Sequence, residues 1–298
     1  MEDREDFSIR PDDIVTLTMM NDIFEIQYQE KVNNQSNILK LDSDRYIVKS
    51  TGEIKEYEHT EMRSQSENSL KQTFKKLRYL INANFKGGKN ELWATLTFKD
   101  TYLARNPAEI YLEYNKFIKR LCYKLDEKIE YLAILEPHGL KDNDLNSWHG
   151  FHLHVLFKSY KSVLYIPYRD FEKIWGLGMA RVERLTNIDN IGAYLSAYLT
   201  NVELEENSSG EKTDKKYVKG SRLWLYPKGI RIYRKSKGLA YPKRVKMPYK
   251  SARELIGQVA PHYTKTYKIE NEDFENTIVF EQYNRKRRKC YDSNNHQE

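Results

Sequence analysis

The stretch "WHGFHLHVLFK", Trp148–Lys158, places His152 and His154 on either side of one leucine. Alternating apolar residues (Phe151, Leu153, Val155, Phe157) mark it as a strand with one buried face. Residues two apart on a strand share a face, so the two imidazoles stand side by side, roughly 7 Å apart at Cα. At that spacing both can reach one divalent cation. A half-exposed strand with two incidental polar side chains gives the same pattern, so the pair needs a third ligand and a reacting group.

Glu136 closes the preceding apolar run, "IEYLAILE". If the two strands form a hairpin, the end of the first lies beside the start of the second. A carboxylate with two imidazoles suits Mg²⁺ or Mn²⁺, with positions left for water and a phosphate oxygen. His138, His149, Asp142 and Asp144 are rivals in the intervening loop, which would hold a ligand less rigidly. The reacting groups are Tyr194 and Tyr198 in "GAYLSAYLTN". Four apart, they share a helix face, beside a stripe of Ile188, Ile191, Leu195 and Leu199 that can serve the core. Packing of two tyrosines on a core rim gives the same spacing.

The elements that would carry these residues are legible around them. Leu70, Phe74, Leu77 and Ile81 predict a helix over about Ser66–Ala83, broken by "FKGGKN". "ELWATLTF" (91–98) reads as a strand, and Asn106-Pro107 as the cap and first turn of the next helix. Strands follow at 129–136 and 150–158, then a short helix in "YRDFEKIWGLG", a strand in "MARVERL", and a helix in "TNIDNIGAYLSAYLTNVE" capped by Thr186 or Asn187. This order predicts an α+β sandwich with a mainly antiparallel sheet flanked by helices. In the first 62 residues, "DIVTLTMMNDIFEIQYQ" and "RYIVKSTGEIKEYE" have strand character, the second turning at Thr51-Gly52.

Of the 298 residues, 39% are hydrophobic and 13% aromatic, which excludes a disordered chain. No apolar run approaches membrane-spanning length, and the acidic start "MEDREDFSIR" is unlike a signal peptide. Two distant cysteines, Cys122 and Cys290, give neither a zinc ribbon nor a disulfide framework, and a reducing cytosol is the simplest setting. The formal charge is +7, and its distribution says more than its size. Between Lys215 and Lys250 lie thirteen basic residues and no acid, including Arg222, Lys228, Arg231, Arg234, Lys235 and Lys237. Such a block supplies phosphate contacts, and Trp224, Tyr226, Tyr233 and Tyr241 can stack on bases or pack a hairpin in "RLWLYPKGIRIYR". A solvated basic face is the plainer alternative.

Taken together, "ATLTF" (94–98), "HLH" and "YLSAY" resemble, in order, the three motifs of HUH endonucleases. More narrowly, residues 90–202 look like the two-tyrosine rolling-circle replication initiators of plasmids and phages, and "RLWLYPKGIRIYRKSKGL" has the character of such initiators from low-GC Gram-positive hosts. The resemblance implies an RRM-like or ferredoxin-like core with additions at both ends. It implies that His152, His154 and Glu136 bind Mg²⁺ or Mn²⁺, that Tyr194 and Tyr198 are nucleophiles, and that Thr95 and Thr97 belong to the central sheet and approach DNA. The expected product is a 5′-phosphotyrosine link with a free 3′-hydroxyl as primer. The expected partners are single-stranded origin DNA, origin duplex or hairpin, and a host helicase and polymerase in a bacterial cytoplasm. The reading includes no membrane and allows a homodimer. Where many relatives carry a lysine three residues after a tyrosine of this motif, this chain has Ala197 and Asn201. The alternatives are a transposase of the same superfamily and a non-catalytic nucleic-acid-binding protein. The expected layout is an N-terminal extension (1–62), an endonuclease domain (63–203), a linker (204–216), a basic DNA-binding region (217–283) and a disordered tail (284–298).

Overall fold

The computed structural model describes residues 7–32, 37–57, 67–138, 148–186, 188–199, 225–227, 229–271 and 274–290. In chain order the strands and helices are β1 (Ile14–Met20), β2 (Ile23–Gln29), β3 (Ile38–Lys40), β4 (Arg45–Val48), β5 (Ile54–Glu56), α1 (Glu67–Asn84), β6 (Glu91–Leu96), α2 (Thr101–Arg105), α3 (Pro107–Leu125), β7 (Glu130–Pro137) and β8 (Phe151–Lys158). They continue with α4 (Tyr168–Trp175), β9 (Ala180–Glu183), α5 (Ile191–Leu199), β10 (Tyr233–Lys235), β11 (Lys243–Pro248), α6 (Tyr249–Ile256), β12 (Tyr263–Asn271) and β13 (Phe274–Asn284). The architecture is α+β with large antiparallel sheets and a few flanking helices. Among the described residues no helix is long and apolar enough to cross a membrane.

The chain divides into two compact units, residues 62–241 and residues 1–61 with 242–298. The first is built on a five-stranded sheet in the order β10-β7-β8-β6-β9, with every neighbouring pair antiparallel. Local signals set its helices. The Asn106 side chain accepts from the N–H groups of Ala108 and Glu109, and Pro107 opens α3. Gly176, in the left-handed region at φ 72°, closes α4. The cap of α5 is Asn190, whose side chain accepts the Ala193 N–H at 2.9 Å. It replaces the expected Thr186 or Asn187 because the helix starts only at Ile191.

One sheet face is packed by α3 and α4, where Phe117 meets Phe157, Phe171 and Trp175 edge to face. The other face carries α5 and α1. The two helices approach closely at Gly192, where a Cβ would stand 2.5 Å from Asn82 Oδ1 and 2.8 Å from the Arg78 carbonyl. Asn82 Oδ1 instead accepts the Gly192 N–H at 2.8 Å. Glu91, at the start of β6, is fully buried, and its Oε2 accepts the N–H groups of Lys86, Gly87 and Gly88. The turn that ends "FKGGKN" is thereby wrapped around a carboxylate.

In the second unit a five-stranded antiparallel sheet has the order β11-β1-β2-β13-β12. The expected single strand "DIVTLTMMNDIFEIQYQ" is a hairpin, β1 and β2, turning at Asn21 with φ 54°. Strands from both ends of the chain therefore share one sheet. The basic segment read as one region from 217 to 283 is split. Tyr233–Lys235 pairs with β7 in one unit, while Lys243–Pro248 pairs with β1 in the other. A short sheet, β3-β4-β5, turns at Thr51-Gly52 as expected. Of the expected tail, Asn284 ends β13 and Arg285–Cys290 form a 3₁₀ turn. The rest of the tail and the linker 204–216 lie outside the described residues.

Candidate metal centre and nucleophile helix

The β7–β8 hairpin sets Glu136 directly opposite His152, and His154 lies opposite Ile134. On its other edge, β8 pairs with β6, and His154 faces Thr95. All four side chains therefore project from the same face of the sheet. The three potential ligand atoms converge: Glu136 Oε2 lies 2.8 Å from His152 Nε2 and 2.5 Å from His154 Nε2, and the two nitrogens are 2.9 Å apart. Glu136 and His154 are buried, and His152 is nearly so.

Two imidazole lone pairs and a carboxylate at these distances repel. The cluster requires positive charge at its centre, as protons on the ring nitrogens or as a bound cation. Ligand atoms held at about 2.1 Å around an octahedral cation stand about 3 Å apart, close to the spacing found here. The donor set of two imidazoles and one carboxylate also suits a divalent ion. Glu136, His152 and His154 thus form a candidate metal site. Burial works against ionisation of Glu136, but hydrogen bonds from His152 and His154 and their charge outweigh it and bring the carboxyl down to about 2.

Thr95 Oγ1 lies 3.2 Å from His154 Nδ1. When Nδ1–H donates to this hydroxyl, the Nε2 lone pair points into the cluster, the tautomer a metal requires. Thr97 holds the neighbouring strand instead. Its hydroxyl donates to the Met179 carbonyl at 3.1 Å and accepts the Met179 N–H at 3.0 Å.

Tyr194 comes to the same face on α5. Its ring stands edge-on to Trp93 at 5.8 Å, and Trp93 stands edge-on to His154 at 5.6 Å. Trp93 thus lies between the candidate nucleophile and a candidate ligand. Tyr194 is 48% exposed, while Ile191 and Leu195 of the same helix are buried, matching the expected core stripe. Tyr198 falls within α5, one turn on, but its side chain lies outside the described residues.

Among the loop rivals, His138 and His149 are exposed and stack edge to face with one another, and His138 also meets His152 at 5.7 Å. Neither belongs to the converging triad. Asp142 and Asp144 lie outside the described residues, as do Arg222, Trp224 and Lys228. Of the other basic candidates, Arg234 sits over the Tyr111 ring at 3.8 Å, and Lys235 Nζ donates to the Leu239 carbonyl at 2.7 Å. Arg231 and Lys237 are exposed. Tyr226 is buried with its hydroxyl on the Leu135 carbonyl, and Tyr233 is pushed up to about 12 by burial and by Tyr241.

Residues 91–203 match a family model for replication-associated proteins of the ORF2 type. The matched span runs from the start of β6 past the end of α5, so it contains the triad and both tyrosines. This match supports a role in replication initiation. Comparison with curated proteins and with solved structures gives no match.

Two contributions escaped the reading of the sequence. Trp93 separates Tyr194 from His154, and Arg181 stands opposite Thr95 on β9, in the same cross-strand row as His154. The period of two in "ELWATLTF" put Trp93, Thr95 and Thr97 on one face. The pairing of β9 with β6 was not in the local sequence.

Proposed function

We propose that this protein initiates rolling-circle replication by nicking and rejoining single-stranded origin DNA through tyrosine. The observation that supports it best is the converging Glu136, His152 and His154 with Tyr194 one aromatic ring away, inside the span matched to replication-associated proteins. Mg²⁺ or Mn²⁺ bound by the triad supplies charge at the scissile phosphate and offsets what develops on its oxygens.

The chain's residues do the rest. Glu136 orients both imidazoles, and Thr95 fixes the tautomer of His154. Tyr194 Oη attacks phosphorus as the bond to the 3′ oxygen breaks. The phenol loses a proton and the 3′ oxygen gains one. A 5′-phosphotyrosine link and a free 3′-hydroxyl result. The bond energy stays in the link, so rejoining needs no nucleotide cofactor, and the 3′ end can prime a polymerase. Tyr198, one helical turn away, serves a second attack once the origin is remade. Arg181, exposed in the row of Thr95 and His154, is positioned on the sheet to replace the lysine missing at Ala197 and Asn201. Exposed Arg231 and Lys237, with Arg222 and Lys228, supply phosphate contacts to origin duplex or hairpin.

The test incubates the full chain with a labelled pool of single-stranded DNA and Mn²⁺. A protein–DNA adduct that survives denaturant is expected from the wild type and absent from the Tyr194→Phe, Tyr198→Phe double variant. An adduct from the double variant refutes the nucleophile assignment. No adduct from the wild type favours a non-catalytic DNA-binding protein.

A further inference from the structure

The sheet of the second unit has two chemically different faces. The register places Val15, Leu17, Ile26, Tyr28, Val279 and Tyr283 on one side, where they form a core with Ala252 and Ile256 of α6. The other side carries three cross-strand rows. In one, Arg244 and Tyr263 stand at the two edges; in the next, Lys246 and Lys265 do, with Phe280 beside Lys265; in the third, Tyr267 stands beside Ile278. Arg244, Lys246 and Tyr263 are exposed, and Lys265, Tyr267 and Phe280 are half-buried. The acid on this face, Glu25, is buried.

An aromatic cluster on the face away from the core has no packing reason to be there, and half-exposed rings between cations match the chemistry of a polyanion with flat bases. The spacing discriminates further. Tyr263 and Tyr267 are four residues apart, about 13 Å along the strand, and Phe280 stands level with the point midway between them. Successive rings are thus about 7 Å apart along the strand, twice the 3.4 Å rise of stacked bases, so each ring meets a separate, splayed base. A duplex keeps its bases paired and stacked and cannot present them so. Tyr267 and Phe280 meet edge to face at 5.9 Å, and Lys265 lies 4.9 Å from the Tyr267 ring centre.

We propose that this face, formed by Tyr263, Tyr267 and Phe280 with Arg244, Lys246 and Lys265, binds single-stranded nucleic acid by base stacking. It lies in the unit that does not contain the metal triad, and it serves as a holding surface for unpaired strand whatever the triad does.

The experiment uses the full chain in EDTA, so that no cleavage intervenes, with a bromodeoxyuridine-substituted oligothymidine of about 12 nucleotides. Photocrosslinked peptides are mapped by mass spectrometry. Crosslinks at Tyr263, Tyr267 or Phe280 are expected; crosslinks confined to residues 62–241 overturn the proposal. Tyr263→Ala with Tyr267→Ala is expected to reduce crosslinking at Phe280 about tenfold or more, and the double Phe variant to retain it. Lys246→Glu, which leaves the rings in place, is expected to reduce it as well at low salt. Wild-type yield at Phe280 in both the Ala and the Glu variants, or competition by a duplex equal to that by a single strand, also overturns it.

Discussion

Glu136 and His152 face one another across the β7–β8 ladder, and their side chains close the remaining gap to 2.8 Å. Backbone pairing thus builds the triad: a carboxylate at the end of one strand, an imidazole opposite, and a second imidazole two residues on. Glu136→Ala or His152→Ala removes one corner while leaving the ladder intact. Titration of the full chain with Mn²⁺ should show one tight site, weakened about a hundredfold or more in either variant. Thr95→Val removes the partner of His154 Nδ1 without touching a ligand and should cost about ten- to a hundredfold in affinity. Unchanged binding in all three would place the metal elsewhere.

Trp93 stands between Tyr194 and His154 and touches both rings. It is a positioning residue, so its loss should separate binding from chemistry. Trp93→Ala should leave Mn²⁺ affinity near wild type while adduct formation slows by up to about a hundredfold, since a misplacement near 1 Å has that effect. Trp93→Phe should recover part of the rate. Equal losses in metal affinity and rate would instead indicate a general disturbance of the sheet.

The triad was legible because its parts are local: period two within "HLH", and a hairpin whose closing ends are Glu136 and His152. The cap of α3 was legible for the same reason, since Asn106 and Pro107 carry their own signal. Tyr194 was legible as a helix position, but the ring that links it to the ligands was not. Trp93 reaches it only through the packing of α5 on the sheet. The partners of the basic strands were equally hidden. Tyr233–Lys235 pairs with β7, a hundred residues earlier, and Lys243–Pro248 pairs with β1 near the start of the chain. Nothing local in "RLWLYPKGIRIYR" distinguishes that outcome from a hairpin. Asn190 was passed over as a cap because Thr186 and Asn187 offer the same chemistry three or four residues sooner.

Gly192 tests whether the seating of α5 matters to the chemistry. Its Cα lies so close to α1 that a methyl group would overlap Asn82 Oδ1 and the Arg78 carbonyl. Gly192→Ala should therefore lower stability by about 1–3 kcal/mol despite the better helix propensity of alanine. It should also slow adduct formation more than the drop in melting temperature alone would imply, because Tyr194 lies two residues on. Ala193→Gly, at an exposed neighbouring position, should reduce stability by about 1 kcal/mol through propensity alone and leave the adduct rate little changed. A rate loss as large in Ala193→Gly would detach the effect from the α1–α5 contact.

Glu130 provides a pH test well away from the triad. Burial raises its carboxyl, but hydrogen bonds involving Ser236, the Tyr160 hydroxyl and the Gly238 N–H outweigh this and hold it below the ordinary carboxylate value. A group depressed on folding contributes stability that is present above its unfolded pKa and is lost as pH falls through the folded one. Urea midpoints should therefore be flat near neutral pH and decline as the solution is taken below the usual glutamate range. Glu130→Gln keeps the shape but cannot ionise. It should lower the neutral-pH stability by about 1–3 kcal/mol, as loss of charge-assisted hydrogen bonds does, and should flatten part of the acid decline. The two curves should converge as pH falls. Curves that stay parallel down to pH about 3 would show that the carboxylate's charge is not what fastens β7 to the segment after β10.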